Sequence, residues 1–182
     1  MNFSTNIVHY GRLILRLIII TQLFRLAIVS SSIPLLQPPC SQELARGFGD
    51  HINWKTYEEG MAEALDENKP ILLLIHQEQC PACHDFAPKF AADENIAECS
   101  KYFVMINCKD EEEPSGYTPD GKYYPRIIFL SPKGDIILGI RNDMAKENYL
   151  YYYFTPDAVV RSMVRVVKLF YEVQHDGEYE DL

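Results

Sequence analysis

The chain has no second CxxC, no CxxH pair and only five cysteines in 182 residues: Cys40, Cys80, Cys83, Cys99 and Cys108. That excludes a disulfide scaffold, and it argues against a structural zinc, because about four ligands are needed and Cys80, Cys83 and the adjacent His84 supply one corner. A basic excess is also missing: Lys+Arg number 17 against 26 Asp+Glu, for a formal net charge of -9. The only charged residues of the first 42 positions are Arg12, Arg16 and Arg25, so the remainder is more acidic still. Such a surface repels phosphate backbones and excludes the electrostatic footprint of a nucleic-acid binder. No internal repeat is present, and the length suits one domain plus a tail or targeting segment.

The acid-free N-terminus places Arg12 ahead of "LILRLIII" and "LFRLAIVSSS". A basic start, an apolar run and small residues predict a signal peptide over 1–32, with cleavage near Val29 to Ser32. Arg16 and Arg25 interrupt the apolar run, and a mitochondrial presequence or a retained signal anchor are the competing readings. At the other end, "GEYEDL" closes an acidic tail over 175–182. Glu180, Asp181 and Leu182 resemble the end of a KDEL-type signal read by a retention receptor. Tyr179 stands where Lys or His is usual, and the two acids are in swapped order. Together the ends favour the endoplasmic reticulum (ER) lumen, with secretion or mitochondrial import as alternatives.

Between them, 33–50 is rich in Pro and Gly and is expected to be a linker, with the domain over 51–174. Asn53 is expected to cap a helix through about Leu65, with Trp54, Tyr57, Met61, Ala64 and Leu65 as its apolar stripe. The continuous apolar run Ile71 to Ile75 predicts a strand covered on both faces. "HQEQCPACHDFAPKF" follows, with Phe86, Ala87 and Phe90 at helical spacing. Tyr102–Asn107 and Arg126–Leu130 are further strands. Asp135–Ile140 is expected to pair with the latter as a hairpin. The acidic run Asp110 to Glu113 reads as a solvated loop face, and EF-hand spacing is absent. Thr155 and Pro156 are expected to cap and open a last helix, buried through Val159, Val160, Met163, Val164, Val167 and Phe170.

A CxxC directly after a buried strand, with a proline opening a later strand, resembles the thioredoxin fold. "GFGDHINW", "HQEQCPACHDFAPKF", "FVMINCKDEEEP" and "YTPDGKYYPRIIFLSPKG" are similar to the small ER thioredoxin-like proteins that include thioredoxin domain-containing protein 12 and the anterior gradient family. The resemblance spans about residues 47–182. It implies an α/β, thioredoxin-like fold, a central mixed β-sheet flanked by helices. It further implies a protein-disulfide oxidoreductase, glutathione-linked, acting on client proteins and supplied by glutathione or other ER oxidoreductases. No organic cofactor and no metal is implied. Anterior gradient relatives have lost the second cysteine, whereas Cys83 is kept here. Gln79 replaces a usual Trp, and Pro81 a Gly.

The residues suit that chemistry. A cysteine opening a helix lies beside unpaired N–H groups and the positive end of the dipole, which favours its thiolate. Cys80 is therefore the expected nucleophile, and Cys83, one turn later, the resolving thiol. Pro81 fits the first helical position because its missing N–H has no intrahelical partner. The resemblance implies a cis Pro125, with the backbone of Tyr124 pairing with an extended client. Gln79, Pro81 and Ala82 join them as candidate client contacts. Thioredoxins often bury an acid six residues before the first cysteine, where this chain has Leu74. His76, His84 and Glu78 flank the pair, and the simplest reading of each histidine is a solvated or packed imidazole. Cys99 and Cys108 read as small apolar residues that could bridge, and Cys40 as the cysteine suited to pairing between chains. The competing function is a client-binding chaperone or docking module with weak redox activity, in which Tyr123, Tyr124 and Tyr151 to Tyr153 offer an aromatic surface.

Overall fold

The aliphatic run Ile71–His76 is the central strand, buried at every residue. The computed structural model describes residues 41–176. The expected signal peptide, Cys40, and Glu180, Asp181 and Leu182 lie outside the described residues. In chain order the elements are α1 (Ser41–Ala45), β1 (Trp54–Lys55), α2 (Tyr57–Glu67), β2 (Ile71–His76), α3 (Pro81–Ala91), α4 (Glu94–Ser100), β3 (Val104–Lys109), a 3-10 turn (Asp110–Glu112), β4 (Arg126–Leu130) and α5 (Pro156–Asp176). The sheet runs β1-β3-β2-β4. β1, β3 and β2 are parallel and β4 is antiparallel to β2, so the expected mixed sheet flanked by helices is present.

Alternation along β2 divides the interior in two. Leu72 and Leu74 pack with Phe48, Trp54, Phe86, Phe90 and Met163 on one face. Ile71, Leu73 and Ile75 pack with Ala64, Ile106, Cys108 and Tyr151 on the other. Gly60 lets α2 close on β3, because a Cβ there would collide with the Ile106 side chain.

Several expectations are corrected. Within the expected linker, residues 41–50 carry α1 and bury Leu44, Ala45 and Phe48 in the first core. The apolar residues among the Pro and Gly outweigh the turn signals. The helix expected from Asn53 starts later, because Thr56 is the cap and its Oγ1 accepts the Glu59 N–H at 3.3 Å. Trp54 is consequently a strand residue opposite Met105, its indole N–H donating to Gly49 O at 3.1 Å. Leu65 is 63% exposed and off the buried stripe.

The expected strand Asp135–Ile140 reduces to one bridge, Leu130 with Ile136. The turn that starts it is tight: Ser131 Oγ accepts the Lys133 and Asp135 N–H groups, and Gly134 takes φ 88°. Beyond Ile137 the chain leaves the sheet, with Leu138 at 68% exposure. At α5, Thr155 Oγ1 is buried without a hydrogen-bond partner among the described residues and does not cap. Val159 and Met163 are buried as expected, with Val160, Val167 and Phe170 packed partly buried against the first core; Ala158, Ser162 and Val166 join the buried face, and Val164 is exposed. Because α5 reaches Asp176, the first two residues of the expected tail are helical.

Candidate active site

Cys80 stands at the N-cap of α3 with Pro81 next, so the helix begins at the CxxC as its sequence dictates. Cys80 has extended φ/ψ of -98° and 108°, and its Sγ accepts the Cys83 N–H at 3.1 Å. The helix thus turns one of its otherwise unpaired amides onto this sulfur. Cys80 and Cys83 are joined as a disulfide, with their Cα atoms 5.2 Å apart. Cys80 is half-buried and Cys83 is 3% exposed, so an incoming thiol meets Cys80 first. Gln79 and Pro81 are exposed on either side and Ala82 is half-buried.

The two histidines near the pair have different fates. His84 is exposed, its Nε2 donating to Glu78 O at 2.5 Å, which ties the first turn of α3 to the loop before it. His76 ends β2, is 4% exposed, and places Nε2 2.9 Å from Asn107 Oδ1. Asn107 Nδ2 donates to Leu44 O at 2.7 Å and Ala45 O at 3.2 Å. Those two bonds orient the amide so that its oxygen faces the ring, which makes Nε2 the protonated nitrogen of His76. Burial, opposed by the Asn107 hydrogen bond and reinforced by the Arg46 charge, lowers the His76 pKa to about 4. His76 is therefore neutral near pH 7, and it lines a cavity of about 250 Å³ together with Cys83, Phe48, Arg46 and Lys109.

The second wall is the Tyr124–Pro125 peptide, which is cis. Pairing of Ile75 with Arg126 in antiparallel register sets Pro125 opposite His76, four residues before Cys80. Tyr124 and Gln77 line one cleft, so the structure brings the Tyr124 edge to the loop that carries the CxxC. The hydrogen bonds among the described residues do not tie Gln79, Pro81 or Ala82 to that edge.

A buried ion pair holds the proline loop. Arg126 is fully buried and pairs with Glu113, whose side chain is 7% exposed. Arg126 also donates to Tyr123 O at 2.7 Å, and its guanidinium lies 5.1 Å from the Tyr124 ring centroid. Tyr124 Oη donates to Glu113 at 2.5 Å, and Lys122 approaches the same carboxylate at 3.2 Å. Burial raises the Glu113 pKa, but the Tyr124 hydrogen bond and the Arg126 and Lys122 groups outweigh it and hold the carboxyl below its ordinary value. Glu112 likewise pairs with Arg46 at 2.5 Å, and Asp110 accepts the Glu78 N–H at 3.1 Å. The run expected to be a solvated face therefore fastens three segments of the fold. No cluster of three or more metal-binding side chains occurs among the described residues.

Leu74, at the position where thioredoxins often bury an acid, is fully buried. Cys99 and Cys108 are free thiols. Cys99 borders the first core and Cys108 belongs to the second, across the sheet, so they do not bridge. Asn107, Arg126 and Arg46 belong to the site without being expected there from the sequence. The signal that points to Asn107 is a polar side chain inside an otherwise apolar strand, and the one that points to Arg126 is a charge at the head of a buried strand directly after Pro125.

A family pattern described as "Thioredoxin-like" matches residues 53–132. Anterior gradient protein 3 of Mus musculus is 37% identical over 139 residues, covering 73% of this chain and 81% of that protein. Anterior gradient protein 2 homolog of Homo sapiens is 33% identical over 138 residues, covering 73% of this chain and 77% of that protein. A solved thioredoxin from Thermus thermophilus aligns over 64% of this chain and 88% of its own, at 19% identity and a TM-score of 0.47.

Proposed function

Since the chain belongs to the anterior gradient family of thioredoxin-like proteins, we propose that it exchanges thiols and disulfides with client proteins through Cys80 and Cys83. One observation carries this reading: a half-exposed Cys80 at a helix N-terminus, bonded to a buried Cys83 one turn on. In the reducing direction, the Cys80 thiolate attacks a client disulfide, forming a Cys80–client disulfide and releasing the other client sulfur as a thiolate. Cys83 loses its proton and attacks Cys80 Sγ, which frees the second client sulfur and leaves the Cys80–Cys83 disulfide. Two glutathione thiols restore the dithiol and leave as oxidised glutathione. Run backwards from the disulfide, the same steps oxidise a client.

The amide that reaches Cys80 Sγ stabilises the thiolate both as attacking and as leaving group. The Tyr124 backbone, beside the cis bond, is the edge along which an extended client would pair. Retention of Cys83 aligns the chain with the redox-competent branch that includes thioredoxin domain-containing protein 12. Its workplace in this reading is the ER lumen, supported by the signal-like start and by Glu180, Asp181 and Leu182 as the mark for a retention receptor.

A second reading, a client-docking module with weak redox activity, is favoured by Leu74, which leaves the Cys83 proton without a buried carboxylate to receive it. Equilibration of the full chain in glutathione buffers, with mass spectrometry of each thiol, decides between them. A reversible two-electron couple near the ER poise, lost in Cys80→Ser, supports the exchange enzyme. Failure of the pair to cycle, with client binding intact, selects the docking module.

A further inference from the structure

Beside the cis peptide lies a groove of about 380 Å³, lined by Tyr123, Tyr124, Met144, Lys146, Tyr149 and Phe154 among others. Its apolar side chains are open to solvent: Met144 is 56%, Tyr149 49% and Phe154 39% exposed. The aromatic rings form a continuous wall. Tyr123 meets Tyr149 edge-on at 5.0 Å between centroids, and Tyr152 stacks on Phe154 at 5.8 Å.

The groove is held in shape by half-buried hydrogen bonds, so its form does not await a ligand. Asp120 accepts from Tyr123 Oη at 2.7 Å and from the Leu150 N–H at 2.6 Å. Tyr123 Oη in turn accepts the Tyr151 N–H at 3.0 Å. Asn142 donates to Tyr152 O at 2.7 Å and accepts the Met144 N–H at 3.0 Å. The Tyr123–Asp120 pair thus locks the proline loop to the Leu150–Tyr151 backbone, and a preorganised site loses less entropy on binding.

We propose that this groove selects clients, receiving an aromatic side chain of an extended client segment that carries an acidic residue beside it, within a few residues of the cysteine joined to Cys80. The proposal rests on the exchange reading above and names the substrate class of that same site. Two observations fix the occupant. Tyr124 lines the groove and also forms the edge next to Pro125, so a strand pairing there runs on into the groove. Lys146 is the one charged residue lining it and enters no salt bridge among the described residues, in a chain of net charge -9. A cation in an aromatic-lined groove complements an acidic aromatic segment.

The test uses the full chain carrying Cys83→Ser, reduced at Cys80, and short single-cysteine peptides presented as mixed disulfides with glutathione. Attack of Cys80 on the peptide sulfur forms the chain–peptide disulfide and releases glutathione thiolate, with no net oxidation. Peptides with Tyr-Glu placed one to four residues from the cysteine compete against Ala-Gln counterparts, and mass spectrometry reads the ratio trapped. Burial of one aromatic side chain predicts a preference of about tenfold at the favoured offset. Tyr149→Ser should reduce that preference severalfold, and Lys146→Glu should turn it toward Tyr-Lys peptides. Reaction of Cys80 with oxidised glutathione is measured alongside. If that reaction proceeds and all peptides are trapped equally, the groove proposal is overturned while the exchange reading stands. If Cys80 reacts with neither, the exchange reading falls instead, and the groove proposal with it. A concentration-dependent dimer that Tyr149→Ser dissociates, without any peptide preference, assigns the groove to a second copy and also overturns the proposal.

Discussion

Nε2 of His76 lies 2.9 Å from Oδ1 of Asn107, and the same imidazole lines the cavity that reaches Cys83. The pair ties the end of β2 to β3, and the Asn107 amide extends the tie to the carbonyls that end α1. The site therefore rests on three segments distant in sequence, which makes its stability sensitive to pH and to single polar substitutions.

His76 is expected to stay neutral down to about pH 5. Its pKa falls from 6.5 to about 4 on folding, with burial the largest cause. The unfolded chain takes up a proton first as pH drops, so this stabilisation is complete above pH 6.5 and is lost as pH falls from 6.5 toward 4. The total loss is about 3 kcal/mol. Urea denaturation at a series of pH values, set against His76→Gln, should show the variant with a flatter profile between pH 6.5 and 4.5. A His76 imidazole signal in NMR that titrates near 6.5 would contradict the assignment.

Removing the Asn107 side chain should cost about 1–3 kcal/mol, because Asn107→Ala takes the hydrogen-bond partner from His76 and from the Leu44 carbonyl, while Ala45 O keeps the Phe48 N–H. Chemical denaturation measures the loss. An unchanged midpoint would mean that water replaces the amide without penalty.

Arg126→Met should destabilise by about 1–3 kcal/mol, since it removes the buried cation from the Glu113 carboxylate and leaves it only Tyr124 Oη and the exposed Lys122. Pairing it with Glu113→Leu should recover most of that loss in a double-mutant cycle. Additive losses would show that the two groups do not act as a pair.

Gly60→Ala should cost about 1–3 kcal/mol through overpacking against Ile106. The gain in helix propensity, about 1 kcal/mol in the other direction, is the competing effect. A more stable variant would mean that Ile106 yields at little cost.

With the dithiol reduced, alkylation near pH 8 should label Cys80 first and Cys108 only on unfolding. Burial is the main cause that pushes the Cys108 thiol up to about 12, and its 1% exposure blocks reagents besides. Peptide mapping after short labelling checks the order. Early modification of Cys108 would contradict its place in the second core.

Those structural features differ in how far the sequence announces them. The CxxC helix is legible because its signals are local: an aliphatic strand, a cysteine at the cap, Pro81 in the first turn, and Phe86, Ala87 and Phe90 at helical spacing. Trp54 reads as a helix residue because Asn53 and Thr56 are both competent caps, and only the pairing of β1 with β3 decides for Thr56. The Asn107 bond to Leu44 spans 63 residues, and no local pattern encodes it. Glu113 was hidden in an acidic run that looks solvated by composition, although its partner Arg126 follows the proline that marks the site. Interruption of an apolar strand by one polar residue is the clue for Asn107, and a charge heading an apolar strand is the clue for Arg126.

The short helix before β1 sets how far the chain can be trimmed. Leu44, Ala45 and Phe48 are core residues, and the Asn107 amide is satisfied by main-chain oxygens of the first two. Any maturation cut that frees the domain has to fall upstream of Leu44. A cut at residue 50, where composition alone would draw the boundary, would open the floor beneath the cysteine pair.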